Sequence, residues 1–179
     1  MRVLITGITG FAGSHLAEHI LAEHPDVAVY GTYRWRSRME TLEDLARRRR
    51  LDVIEGRYTT GPEMRDGAHV ARVTLLHTEL TDAGSVERLI ATVQPHRVFH
   101  LAAQTFVQSS FDEPAATLTI NIQSQLNLLE AVRRHDDRMR VHVAGSSEEY
   151  GLVHPDEVPM KATNPLRPLS PYAVSKVTQ

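Results

Sequence analysis

The sequence predicts an α/β fold, a doubly wound parallel sheet with helices on both faces, and three observations carry that expectation. Short apolar runs alternate along the chain with longer segments of helical periodicity. The first apolar run, Val3-Leu4-Ile5, leads straight into a glycine-rich turn, and that turn leads straight into a helical pattern. Finally, 179 residues with 41% hydrophobic and 23% charged content can bury one sizeable core, which suggests one domain over 1–179.

Taken in order, strands are expected at 2–6, 27–33, 73–78, 97–102 and 140–144. Helices are expected near 12–23, 39–49, 84–93, 114–134 and from 171 onward. Residues 50–70 break the rhythm, because Gly56, Gly61, Pro62 and Gly67 mark a loop or insertion. A second loop spans about 151–170 and carries Pro155, Pro159, Pro165 and Pro168. Right-handed crossovers put ligands outside the carboxyl ends of the strands, so chemistry is sought just after each strand. The chain stops at Gln179, about two turns into its last helix. It is therefore expected to be the N-terminal part of a longer protein.

Composition excludes several classes of function. A net charge of -2 gives no reason to expect nucleic acid or an anionic membrane as partner. With no cysteine there is no disulfide, no thiolate zinc site and no cysteine nucleophile, which fits a reducing cytoplasm. Arg2 precedes an apolar stretch, but Gly7, Gly10 and Gly13 interrupt it, so a glycine turn explains these residues better than a signal peptide does. No apolar run approaches the roughly 20 residues that span a bilayer. A soluble cytoplasmic protein is expected. His15-Leu16-Ala17-Glu18-His19 matches a zinc-peptidase pattern, yet it lies on the helix after the turn and reads as helix surface, so no metal site is expected. Arg47-Arg48-Arg49-Arg50 follows acidic residues at 40, 43 and 44 and reads as a solvated helix end.

The turn itself, Thr6-Gly7-Ile8-Thr9-Gly10-Phe11-Ala12-Gly13, is a G-x-x-G-x-x-G between strand and helix. The first glycine allows the tight turn, the second lets a pyrophosphate approach, and the third lets helix and strand pack closely. The helix N-terminus then aims free N–H groups at the phosphates, as in a Rossmann dinucleotide site. After the second strand come Arg34, Trp35, Arg36 and Ser37, with no carboxylate before Glu40. Two guanidiniums and a hydroxyl suit a 2′-phosphate, which favours NADP over NAD. The plainer reading is a solvated basic loop.

Three later segments carry candidate chemistry. His100-Leu101-Ala102-Ala103-Gln104 places small residues where backbone approaches a cofactor, with Ala102 and Ala103 expected beside the nicotinamide. Plain packing is the alternative there. In Gly145-Ser146-Ser147-Glu148-Glu149-Tyr150-Gly151, Ser146 can hydrogen-bond a substrate hydroxyl and Glu148 can accept a proton, while Glu149 reads as a bystander. In Ser170-Pro171-Tyr172-Ala173-Val174-Ser175-Lys176, serine caps the helix and proline opens it. Tyr172 and Lys176 then share one helical face. A phenol of ordinary pKa, about 10, is a poor base at neutral pH. A nearby ammonium and an oxidised nicotinamide favour its phenolate.

Together these segments, with Leu128-Leu129-Glu130-Ala131, make the chain resemble the extended short-chain dehydrogenase/reductases, and within them the nucleotide-sugar dehydratases. Arg34 to Ser37, Leu101 to Phe106, Ser110-Phe111-Asp112 and Ser146-Ser147-Glu148 look like the GDP-mannose 4,6-dehydratases. The resemblance implies Ser146, Glu148, Tyr172 and Lys176 as catalytic residues. It implies Gly7, Thr9, Gly10, Phe11, Ala12, Gly13, Arg34, Arg36, Ser37, Glu79, Leu80, Leu101, Ala102, Ala103, Tyr172 and Lys176 as NADP contacts. Glu79 departs from the usual aspartate near the adenine. The resemblance also implies a nucleotide-sugar substrate, a homo-oligomer when full length, and a C-terminal substrate domain absent from these residues. Gly145 to Gly151 with Leu166-Arg167-Pro168 also looks like the GDP-4-keto-6-deoxymannose reductases. A reductase or epimerase therefore stays open, as does a nonenzymatic NADP-sensing module.

Overall fold

The computed structural model describes residues 1–48, 51–54 and 72–179. Six parallel strands form one sheet in the order β3-β4-β2-β1-β5-β6, with β1 (Arg2–Thr6), β2 (Ala28–Tyr33), β3 (Leu51–Ile54), β4 (Val73–His77), β5 (Arg97–His100) and β6 (Arg140–Val143). The order reverses at β1, which pairs with β2 on one side and β5 on the other. That reversal is where a doubly wound sheet opens a ligand crevice.

Alternation along β1 builds the two faces. Leu4 points to the face covered by α3 (Ala83–Val93) and α6 (Ser124–His135), packing with Leu76, Leu89, Val98 and Leu128. Val3 and Ile5 point to the other face, with Ala17 and Leu21 of α1 (Phe11–Glu23), Val29, Leu42 and Leu75. Strands buried on both faces explain the apolar runs in the sequence.

Helix ends follow from local chemistry. The Asp82 carboxylate accepts from Ser85 N–H at 2.5 Å and starts α3, and Gln94 ends it in the left-handed region at φ 43. Ser170 Oγ accepts from Ala173 N–H at 3.0 Å, and Pro171 opens α7 (Pro171–Thr178).

Three elements differ from expectation. β3 falls inside the segment read as loop from residue 50, where Leu51 and Val53 alternate around Asp52 and pair with the edge of β4. The glycines that suggested a loop lie outside the described residues, as do Arg49 and Arg50. The helix near 39–49 is a single 3₁₀ turn, Glu40–Leu42, followed by the short α2 (Glu43–Arg47). The helix expected at 114–134 does start at Pro114, as α5 (Pro114–Leu118), but an unexpected short helix, α4 (Val107–Asp112), precedes it and ends at Glu113. A residue before proline is held out of the α region, which accounts for the break. Five residues of π-helix, Thr119–Gln123, then lead into α6.

Candidate active site

At the carboxyl end of the sheet the structure has a groove of about 670 Å³. Its floor is the glycine turn. Gly7 has φ +72, and a Cβ there would stand 2.8 Å from the Ala102 backbone nitrogen. A Cβ on Gly13 would run into Gly7 O and Ile8 Cα, so helix and turn touch backbone to backbone. The first intrahelical bond of α1 is Ser14 N–H to Gly10 O, which leaves the Phe11, Ala12 and Gly13 amides without an intrahelical acceptor. The helix has no side-chain cap and no acidic residue in its first turn. An anion would meet open donors and no competing carboxylate there.

Beyond β2 the chain turns at Arg34–Ser37, closed by Arg34 N–H to Ser37 Oγ at 2.8 Å and Ser37 N–H to Arg34 O at 2.9 Å. Arg34 and Ser37 line the groove, while Trp35 and Arg36 at the tip of the turn do not. Neither guanidinium has an ion-pair partner among the described residues. Across from this turn, the Glu79 carboxylate folds back to accept from Thr81 N–H at 3.2 Å and Thr81 Oγ at 2.9 Å. The longer acid thus caps its own turn while still lining the groove with Leu80.

The opposite end of the groove is bounded by Leu101, Ala102, Ala103, Gln104 and Thr105. Asn121, fully buried in the π-helical segment, ties this end to α7. Its Oδ1 accepts from Gln104 N–H at 2.7 Å, and its Nδ2 donates to Gln104 O at 3.0 Å and Ser175 Oγ at 2.8 Å. On α7, Lys176 Nζ donates to Ala144 O at 2.8 Å and lies 5.9 Å from the Tyr172 ring centroid. Burial lowers the Lys176 ammonium from its ordinary 10.5, and the Glu149 carboxylate partly opposes that. His100, at the end of β5, is pushed down to about 4 by burial first and the Lys176 charge second, so its imidazole is neutral at physiological pH.

The turn after β6 is a 3₁₀ helix, Ser147–Glu149, with a reciprocal cap. Ser146 Oγ accepts from Glu148 N–H at 3.2 Å, and Glu149 Oε1 accepts from Ser146 N–H at 2.7 Å. Glu149 is therefore committed to the turn. The Glu148 carboxylate is exposed and has no hydrogen-bond or ion-pair partner among the described residues.

Of the residues singled out from sequence, the groove gathers Gly7, Thr9, Gly10, Phe11, Ala12, Gly13, Arg34, Ser37, Glu79, Leu80, Leu101, Ala102 and Ala103. Arg36, Ser146, Glu148, Tyr172 and Lys176 do not line it; the last four cluster beside its Ala102 end through α7 and the 3₁₀ turn, which pack together. Sequence reasoning missed Thr32 and Thr78, which a stricter use of strand carboxyl ends would have found. It also missed Asn121, whose only signal is a polar residue on the buried face of an apolar helix.

A family model described as GDP-mannose 4,6 dehydratase matches residues 4–179. The chain belongs to this family. A GDP-mannose 4,6-dehydratase of Yersinia enterocolitica is 37% identical over 179 residues, which is 98% of this chain and 43% of that protein. The chain spans less than half the length of the curated dehydratase relatives it matches. Among solved structures, the UDP-glucose 4-epimerase of Thermus thermophilus in complex with NAD superposes with a TM-score of 0.70 at 32% identity, covering 98% of this chain and 47% of that one. RMD from Pseudomonas aeruginosa complexed with NADPH gives a TM-score of 0.66 at 26% identity, over 99% of this chain and 45% of that one. Dehydratase-family sequence thus sits on a fold shared with epimerases. No helix among the described residues is long and apolar enough to cross a membrane.

Proposed function

We propose that the protein is a nucleotide-sugar 4,6-dehydratase that converts GDP-mannose to its 4-keto-6-deoxy derivative and recycles NADP. The observation that carries this reading is the division of labour in the 3₁₀ turn: Glu149 is consumed by the cap, and Glu148 is left as a carboxylate without a partner among the described residues, on a turn that packs against the helix of Tyr172 and Lys176. A dehydratase needs such an extra base, because elimination removes a second proton that a simple oxidoreductase never touches.

The glycine turn, Arg34 and Ser37 suit NADP, the cradle having no room for side chains and the basic turn no carboxylate. The solved relatives hold a nicotinamide cofactor, NADPH in RMD and NAD in the Thermus thermophilus epimerase, so the choice of NADP rests on the basic turn. When bound, the cofactor supplies a hydride acceptor at sugar C4 and returns the hydride at C6. Tyr172, as phenolate, takes the C4 hydroxyl proton, and the Lys176 ammonium stabilises that charge. Ser146 Oγ orients the C4 oxygen. The new ketone acidifies the C5 proton, which Glu148 removes and then delivers to the departing C6 hydroxyl, so that one water leaves; as hydride returns to C6, the proton held by Tyr172 goes to C5.

The full-length protein, given GDP-mannose and substoichiometric NADP, is expected to yield a sugar nucleotide lighter by one water without net cofactor consumption, read by mass. Glu148→Gln should lower turnover by about 10²–10⁴-fold and leave NADP affinity unchanged. Normal turnover by that variant would overturn the assignment. The likeness to epimerases favours one second reading, in which Glu148 is incidental and interconversion occurs without loss of water.

A further inference from the structure

We propose that His100 is a positioning residue that couples the nucleotide turn to Lys176 through Thr6 and Ala144. The inference rests on the dehydratase reading above, in which Lys176 acts beside Tyr172.

His100 is 2% exposed and bridges two strands at the bottom of the site. Its Nδ1 lies 2.8 Å from Thr6 Oγ1, on the last residue of β1 before Gly7. The same Thr6 hydroxyl accepts from Ala102 N–H at 3.3 Å, and Thr6 O accepts from Leu101 N–H at 3.2 Å. On the other side, His100 O accepts from Ala144 N–H at 3.2 Å, and Ala144 O accepts from Lys176 Nζ at 2.8 Å. Two links therefore meet at His100: its imidazole ties β5 to the strand that feeds the glycine turn, and its backbone carbonyl holds Ala144, whose own carbonyl holds the ammonium.

Counting hydrogens gives the imidazole its direction. Thr6 Oγ1 already accepts from Ala102, so the arrangement that satisfies most groups has the hydroxyl donating to Nδ1 and the ring proton on Nε2. That Nε2 is buried without a hydrogen-bond partner among the described residues. An orphan buried donor is unfavourable, and a leucine at this position would avoid it. Filling the core does not explain a histidine here. The bond made at Nδ1 does. Burial keeps the ring neutral, so it adds no charge to compete with Lys176.

The test uses the full-length protein as wild type, His100→Leu, His100→Asn and Thr6→Val. His100→Leu keeps the apolar volume and loses the bond. His100→Asn offers an amide where Nδ1 stood. Positioning predicts that His100→Leu lowers kcat for GDP-mannose about ten- to hundredfold with KM and NADP affinity nearly unchanged. It also predicts that His100→Asn restores most of kcat, and that Thr6→Val reproduces the loss with histidine in place. Wild-type kcat in His100→Leu, or an equal loss in His100→Leu and His100→Asn, would overturn it. Amide exchange gives a readout free of substrate: Ala102, whose N–H bonds the Thr6 hydroxyl, should exchange faster in His100→Leu than in wild type or His100→Asn. If wild type converts no sugar nucleotide, the dehydratase reading falls, and unchanged exchange in His100→Leu would separately sink the positioning role.

Discussion

The glycine turn after β1 and the capped turn after β6 both follow a parallel strand at its carboxyl end, yet they are held by different means. Residues 6–13 are fixed by backbone touching backbone: Gly7 against Ala102, and Gly13 against Gly7 O. Residues 146–149 are fixed largely by side chains: Ser146 and Glu149 cap each other and Lys176 holds Ala144, with a backbone bond from Arg167 N–H to Glu149 O at 3.2 Å beside them. A backbone cradle tolerates no added atom. A side-chain clasp depends on each partner. The two walls should therefore break differently.

The largest effect is expected at the cradle. Gly13→Ala puts a methyl against Gly7 O and Ile8 Cα, neither of which is the end of a flexible side chain. Overpacking of this kind costs about 1–3 kcal/mol of stability. The displaced turn should also weaken NADP binding by about a hundredfold, since a misplacement near 1 Å has effects of that size. Thermal melting and nucleotide titration measure the two losses. A variant that melts and binds like wild type would show that the turn is not rigid.

Asn121→Leu, at the Gln104 end of the groove, should be next in size. It leaves Gln104 N–H and C=O without their Asn121 partners and cuts the link to Ser175, at about 1–3 kcal/mol for such unmet groups. Turnover should fall more than NADP affinity, because the glycine cradle is untouched and only the Gln104 end of the groove loses its anchor. Equal loss of both would erase the distinction between the walls.

That distinction also explains what could be read from sequence. The strand–glycine–helix segment was legible because its constraints are local: three glycines, a strand and a helix start lie within a dozen residues. Tyr172 and Lys176 were legible for the same reason, four apart on one helix behind a serine cap. Asn121 and His100 were not, because each depends on a partner far along the chain, Ser175 for Asn121 and Thr6 for His100. The commitment of Glu149, by contrast, is local, a Ser-x-x-Glu capping box with Ser146 that the reading of Glu149 as a bystander passed over. β3 was missed because four residues beside a glycine-rich stretch carry little periodicity of their own.

The smallest effect at neutral pH is expected at the clasp behind the 3₁₀ turn, and acid should reveal it. Arg167 grips Glu157 with two bonds of 2.7 Å, and the His154 N–H donates to the same carboxylate at 2.8 Å. Arg167 foremost, then that amide, holds the Glu157 carboxyl down from its ordinary 4.5 to about 2. Over that interval the unfolded chain takes up a proton that the folded chain refuses. The clasp therefore stabilises fully above about pH 4.5, and its contribution is lost as pH falls toward 2. Glu157→Gln removes the titrating group, so its melting temperature should lie below that of wild type at pH 7 and converge on it in acid. Because Arg167 also bonds Leu152 O at 2.9 Å, the loop should keep its path in this variant, and turnover at pH 7 should change by no more than about threefold, the pair being only partly buried. A melting difference that stays constant from pH 7 to pH 3 would mean that the Glu157 carboxylate does not carry the clasp.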